Sequence, residues 1–233
     1  MSFQRAFIFD VFGTIVDWRT GVATVSERVF SKNAINIDPY EFADRWRSKY
    51  QPAMERIRSG NRGYVSLDVL HRENLEELLT EYDLQPYFLD QEKREFNRAW
   101  EQLPPWADTV EGLNKIKETA IIAPCSNGSI ALMTRLAKFG GLPWDCIVGA
   151  EIAQNYKPHP EAYLRSVAAL GLQPDQVVMV AAHNNDLEAA RMSGLKTAFI
   201  PRLKEHGRGQ TTDLKATENW DCIIEDISDL TNL

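Results

Sequence analysis

The feature that most restricts the fold is a recurring transition, in which a short apolar run of strand length ends in a small group of polar or glycine residues. Ala6 to Phe9 runs into Asp10-Val11-Phe12-Gly13-Thr14. Thr119 to Cys125 ends at Ser126-Asn127-Gly128, Gln176 to Ala182 at His183-Asn184-Asn185-Asp186, and Lys196 to Ile200 at Pro201. Cys146 to Gly149 and Cys222 to Ile224 read as shorter strands. Helical patterns fill the intervals. Thr109 to Glu118 has Asp108 placed to cap its first turn, with Glu111 completing a capping box, and Pro160 to Leu170 opens on proline and closes on Gly171. Strands alternating with helices predict an α/β fold, a parallel sheet covered on both faces. Ligands bind such sheets beyond the carboxyl ends of the strands, and those ends carry the polar residues.

From about residue 20 to 100 the pattern changes, with helical stretches over Val22 to Ser31, Tyr40 to Ser59 and Ser66 to Tyr82 and no strand-like run. This reads as a helical insertion directly after the first strand, with Pro104-Pro105 marking the return to the core. A chain of 233 residues suits one core with such an insertion better than two full domains. The formal charge of −7 argues against binding along a nucleic-acid backbone, although it leaves room for a small anion held where a few cations converge. Three widely spaced cysteines, Cys125, Cys146 and Cys222, fit neither a disulfide framework nor a metal knuckle, and suggest a reducing, cytoplasmic setting. No signal peptide or membrane span is read in the sequence.

Asp10 is the first candidate for chemistry, because a carboxylate at a strand end before a turn is well placed as a nucleophile. Alone, an aspartate there is usually a turn former. The whole string Phe7-Ile8-Phe9-Asp10-Val11-Phe12-Gly13-Thr14 is far more specific when Ser126-Asn127, Lys157-Pro158 and Asp186-Leu187-Glu188-Ala189-Ala190 follow in that order. On these four strings the chain resembles the haloacid dehalogenase superfamily, and within it the type II (S)-2-haloacid dehalogenases. The resemblance implies a Rossmann-like parallel core, residues 1–18 and 101–233, with a helical cap over residues 19–100. It also implies that Asp10 is the nucleophile, with Thr14, Lys157 and Asp186 as its catalytic neighbours and Ser126 and Asn127 in the second motif.

Phosphatases of this superfamily ordinarily carry a second aspartate two residues after the nucleophile, where this chain has Phe12, which transfers no proton. They also place a magnesium-binding aspartate where this chain has Ala182. Halide departure needs neither group, so the reading is hydrolysis of short (S)-2-haloalkanoic acids, haloacetates among the candidates, to 2-hydroxy acids through an aspartyl ester, without metal or other cofactor. A magnesium-dependent phosphatase and a non-catalytic binding protein stand as the alternatives.

In the insertion, Arg47 follows Trp46 as a cap arginine does in the dehalogenases, and its guanidinium suits the substrate carboxylate or the departing halide. Phe12, Trp46 and Tyr50 are the expected apolar wall of the substrate site, with Trp18 and Tyr64 as further candidates. Ser126 and Asn127 are candidates for holding the substrate carboxylate, or for capping the next helix. His183 departs from the best-known family pattern, which has asparagine there. An imidazole at this place suits a general base for the hydrolytic water, oriented by Asp17 or Asp186, while Asp186 is an alternative base. His71, His159 and His206 are read as surface or structural. The family also implies a homodimer; neither a membrane nor a nucleic acid is expected as partner.

Overall fold

The computed structural model describes residues 5–232. Six parallel strands form one sheet: β1 (Ala6–Phe9), β2 (Ile121–Ser126), β3 (Val148–Gly149), β4 (Val177–Ala181), β5 (Lys196–Phe199) and β6 (Cys222–Ile223), in the spatial order β3-β2-β1-β4-β5-β6. β1 lies between β2 and β4, with Phe9 level with Pro124 on one side and Val180 on the other. Alternation along the strands splits the core in two. Phe7, Phe9, Ile122, Val178 and Val180 face one layer, and Ala6, Ile8, Ala123, Met179 and Ala181 face the other. Both faces are therefore apolar, as a parallel sheet with helices on each side requires.

Ten α-helices are described: α1 (Trp18–Lys32), α2 (Pro39–Ser48), α3 (Tyr50–Arg58), α4 (Leu67–Glu81), α5 (Asp90–Asn97), α6 (Thr109–Lys117), α7 (Ile130–Gly140), α8 (Ala150–Ala153), α9 (Pro160–Ala169) and α10 (Asn184–Met192). The first five, α1 to α5, bury an aromatic cluster of their own, in which Phe42, Trp46 and Phe96 pack with Trp100. The helix expected over Tyr40 to Ser59 is two helices broken at Lys49. Pro52 has no N–H to offer the carbonyl of Ser48, so a continuous helix would lose that bond and crowd the ring. The break sets Arg47, Ser48, Tyr50 and Gln51 around one cleft.

The expected capping box of α6 is absent. Asp108 makes no side-chain bond to its own helix because its carboxylate is taken by Arg202, at 2.9 and 3.0 Å, and by the N–H of Ile227. Arg202 Nε also donates to the carbonyl of Thr14. This interaction ties the loop after β5 to the loop after β1. Gly13 lies in that first loop at φ +94°, and a Cβ there would sit 2.1 Å from Glu205 Oε1. Only glycine both adopts the turn and admits the carboxylate.

Candidate active site

Strand order reverses between β1 and β4, so the loops leaving these neighbouring strands diverge and open a crevice above the sheet. Asp10 follows β1 directly, and His183 stands two residues past β4. Asp10 is buried, and three groups fix its carboxylate. Lys157 Nζ donates to Oδ1 at 2.9 Å, Thr14 Oγ1 donates to Oδ2 at 2.8 Å, and His183 Nδ1 lies 3.1 Å from Oδ2. Thr14 is itself positioned by the N–H of Ala182, 2.9 Å away. Burial alone would raise the Asp10 carboxyl, but the Lys157 ammonium and then His183 overcome it and hold the group far below the usual carboxylate range.

Lys157 reaches Asp186 Oδ2 at 2.5 Å as well, and so joins two carboxylates. Burial opposes its charge, yet Asp10 and Asp186 together keep its proton affinity above that of an ordinary lysine. Asp186 sits in the first turn of α10, where the helix N-terminus favours an anion, and Tyr163 donates to its Oδ1 at 2.5 Å. Burial and the nearby Asp10 charge nonetheless push the Asp186 carboxyl upward. Asn127 Oδ1 accepts from the backbone N–H of Lys157 at 2.8 Å, fixing the loop that carries the lysine. From the helical side, Arg58 donates to the carbonyl of Lys157.

His183 bridges two acids. Its Nε2 lies 3.0 Å from Glu205 Oε2, and Glu205 Oε1 in turn accepts from the indole of Trp18 at 2.9 Å. Burial would lower the imidazole, but Glu205 and Asp10 raise it well above an ordinary histidine. Opposite Asp10, Arg47 spreads its guanidinium over aromatic rings, 4.0 Å from the centroid of Tyr50 and 5.2 Å from that of Trp18. Arg47 Nη1 is buried without a hydrogen-bond partner. The cleft enclosed by these groups has a volume of about 320 Å³, and Asp10, Phe12, Arg47, Tyr50, Asn127 and His183 are among its lining residues.

The structure brings together Asp10, Phe12, Thr14, Arg47, Tyr50, Asn127, Lys157, His183 and Asp186 from the residues expected in the site. Asp17 is elsewhere employed, because Oδ1 caps α1 through the N–H of Thr20. Neither Asp17 nor Asp186 orients His183, whose ring nitrogens face Asp10 and Glu205. Trp46 is 1% exposed and its indole donates to the carbonyl of His71, so it packs the helical layer rather than the cleft. Ser126 Oγ accepts from the N–H of Gly128 in the turn beyond β2, and the residue is fully buried and does not line the cleft. Tyr64 packs on Tyr156, away from the cleft lining. Among the other histidines, His71 is structural in a buried aromatic setting, stacked 4.2 Å from Trp100, and His159 opens α9. His206 instead lines the cleft, with Nε2 at 3.6 Å from Glu205.

Glu205 and Tyr163 were not legible as site residues. Glu205 lies in an irregular loop with no periodic or motif signal, and Tyr163 reads as one more apolar position of a helix.

A model of the haloacid dehalogenase-like hydrolases matches residues 4–194. The (S)-2-haloacid dehalogenase of Pseudomonas fluorescens is 25% identical over 97% of this chain and 94% of its own. Among solved structures, a defluorinating L-2-haloacid dehalogenase is 50% identical with a TM-score of 0.96, covering 98% of this chain and 94% of that one. Another L-2-haloacid dehalogenase is 42% identical with a TM-score of 0.94, covering 98% and 97%.

Proposed function

The chain belongs to the haloacid dehalogenase-like hydrolases, and from that premise we propose that it hydrolyses the carbon–halogen bond of short (S)-2-haloalkanoic acids, haloacetates included. The observation that carries this reading is the Asp10 carboxylate, fixed by Lys157 and Thr14 in an aromatic-walled cleft that Arg47 also lines. Asp10 attacks C2 from the side opposite the halogen. The new C–O bond forms as the C–X bond breaks, giving an aspartyl ester of inverted configuration and a free halide. Arg47 has an N–H without a protein partner, suited to the substrate carboxylate or the leaving halide. Because the 50% identical relative is a defluorinating enzyme, fluoroacetate falls within the proposed substrate range.

In the second step water attacks the ester carbonyl of Asp10, with His183 taking its proton, and a 2-hydroxy acid leaves. Lys157 supplies positive charge between Asp10 and Asp186, so the proposed reaction is metal-independent. Residues 19–100 act in this reading as a cap over a core of residues 1–18 and 101–233.

A substrate panel tests it: (S)-2-chloropropionate, chloroacetate, fluoroacetate and p-nitrophenyl phosphate, each with and without EDTA. The expected result is halide release that EDTA leaves unchanged and Asp10→Asn abolishes. Magnesium-dependent phosphate release would make it a phosphatase, and no turnover of any member would make it a binding protein.

A further inference from the structure

His183 is held between two anions from opposite ends of the chain, Asp10 at the end of β1 and Glu205 in the loop after β5. Nδ1 is 3.1 Å from Asp10 Oδ2, and Nε2 is 3.0 and 3.2 Å from the two oxygens of Glu205. A neutral imidazole carries one N–H and one lone pair, so it would point that lone pair at a carboxylate. An imidazolium donates at both ends. The geometry therefore requires a proton on each nitrogen while Asp10 is free, and a ring in that state cannot accept a proton from water.

Resting on the dehalogenase reading above, we infer that Glu205 is a positioning residue: it holds His183 as an imidazolium opposite free Asp10 and keeps it as the Nε2–H tautomer once Asp10 is esterified. Esterification turns Asp10 from an anion into a neutral acyl group. Glu205 then remains as the one carboxylate on the ring, and it retains the Nε2 proton. The proton on Nδ1, no longer facing a charge, leaves to solvent and exposes a lone pair beside the ester carbonyl.

The step balances. Asp10 carboxylate and the haloacid give ester and halide, and His183 then releases one proton. Water adds to Cγ of Asp10 as its proton passes to Nδ1. The Cγ–O bond to the substrate carbon breaks, and the proton of the added hydroxyl passes to the departing alkoxide. The products are Asp10 carboxylate, the 2-hydroxy acid and a reprotonated His183. The net proton of the reaction thus leaves before ester hydrolysis, not during it.

Several groups bear on this ring. His206 is 3.6 Å from Glu205 Oε1, Arg47 adds a further positive charge that acts on Glu205, Lys157 acts through Asp10, and Asn185 lines the same cleft. Trp18 donates to the same oxygen, Glu205 Oε1, and Gly13 leaves the room in which that carboxylate sits. Glu205 is 1% exposed, so solvent does not dilute its charge. Burial would raise its carboxyl, but His183 holds it lowered.

Single turnovers of (S)-2-chloropropionate in weak buffer with a pH indicator, set beside quenched-flow mass spectrometry of the ester, test the order of events. In the wild type one proton is expected with the ester and halide, ahead of the hydroxy acid. Glu205→Gln should slow esterification far less than hydrolysis and so accumulate ester, with hydrolysis slowed on the order of 100-fold. Its hydrolysis pH profile should move to lower pH, because the one anion left on the imidazole in the ester is gone. Glu205→Asp should restore part of the rate. Trp18→Phe removes a donor from Glu205 and should move the profile the other way, to higher pH, which keeps the test decisive if Glu205→Gln fails to fold. A wild-type proton appearing with the hydroxy acid, or Glu205 and Trp18 variants with unmoved profiles, would overturn the inference while leaving dehalogenation intact. No halide from the wild type would overturn the dehalogenase reading, and the inference with it.

Discussion

The two walls of the cleft follow opposite rules. On the sheet side, Asp10, Thr14, Lys157, Tyr163, His183, Asp186 and Glu205 form one connected network in which the charges answer one another. On the helical side, Arg47 lies on aromatic faces with Nη1 unpaired. Among the described residues every buried side-chain polar atom without a hydrogen-bond partner falls between Ser26 and Trp100. The sheet side is complete in itself, so its geometry is set before any substrate arrives. The helical side keeps donor capacity that a bound anion can use, and unmet donors of this kind lower stability while favouring binding. In the proposed reaction, one wall is preorganised for bond making and the other is completed by the ligand.

That contrast is open to attack by substitution, and the largest effect is expected at Lys157. Lys157→Met leaves Asp10 and Asp186 buried together without their shared cation. It should cost about 3–5 kcal/mol of stability, read as a lower denaturant midpoint, together with most of the esterification rate. A variant as stable as the wild type would break the claim that the sheet-side charges support one another. Arg47→Met should do the reverse. Its kcat/KM for (S)-2-chloropropionate should fall on the order of 100-fold, the value of a lost charge-assisted contact. Stability should stay level or rise, because a buried unpaired N–H is removed. Parallel loss of stability would erase the difference between the walls.

The smallest effect is a slope. His183 is raised in the folded chain, so the stability it contributes is fully present below its ordinary value of 6.5 and is lost as pH rises through the higher folded value. Asp10 is depressed, so its contribution is present above 3.8 and fades as pH falls towards its folded value. Denaturant midpoints measured from pH 6 to 10 should decline in the wild type, and His183→Gln should remove the part of that decline that follows the imidazole. An unchanged slope would mean that His183 is not charged between its two acids.

Much of the sheet side was legible in sequence because several of its motif residues follow a strand, and strand ends announce themselves by an apolar run stopping at a polar group. Asp10, Asn127 and His183 all carry that signature, and Lys157 and Asp186 became legible through the family strings. Asp17 was misassigned because nearness in sequence to Asp10 stood in for nearness in space, whereas its carboxylate faces the amide of the helix it opens. Glu205 is nearly the whole chain away from Asp10, and it reaches His183 only because β5 lies beside β4 and Gly13 makes room. No local pattern encodes that meeting. On the helical side, periodicity located the layer but did not tell inward from cleft-facing aromatics. Trp46 and Tyr50 lie four residues apart, and the break at Lys49 turns only Tyr50 into the cleft.

The most direct test of covalent catalysis at Asp10 is a single turnover of (S)-2-chloropropionate in ¹⁸O water with enzyme in excess, followed by mass spectrometry of the Asp10 peptide and of the product. Water attacks the ester at Cγ, so the predicted result is heavy oxygen in the Asp10 carboxylate and an unlabelled hydroxyl in the first lactate formed. Heavy oxygen in the lactate hydroxyl, with Asp10 unlabelled, would mean that water displaces the halide directly and would contradict the account.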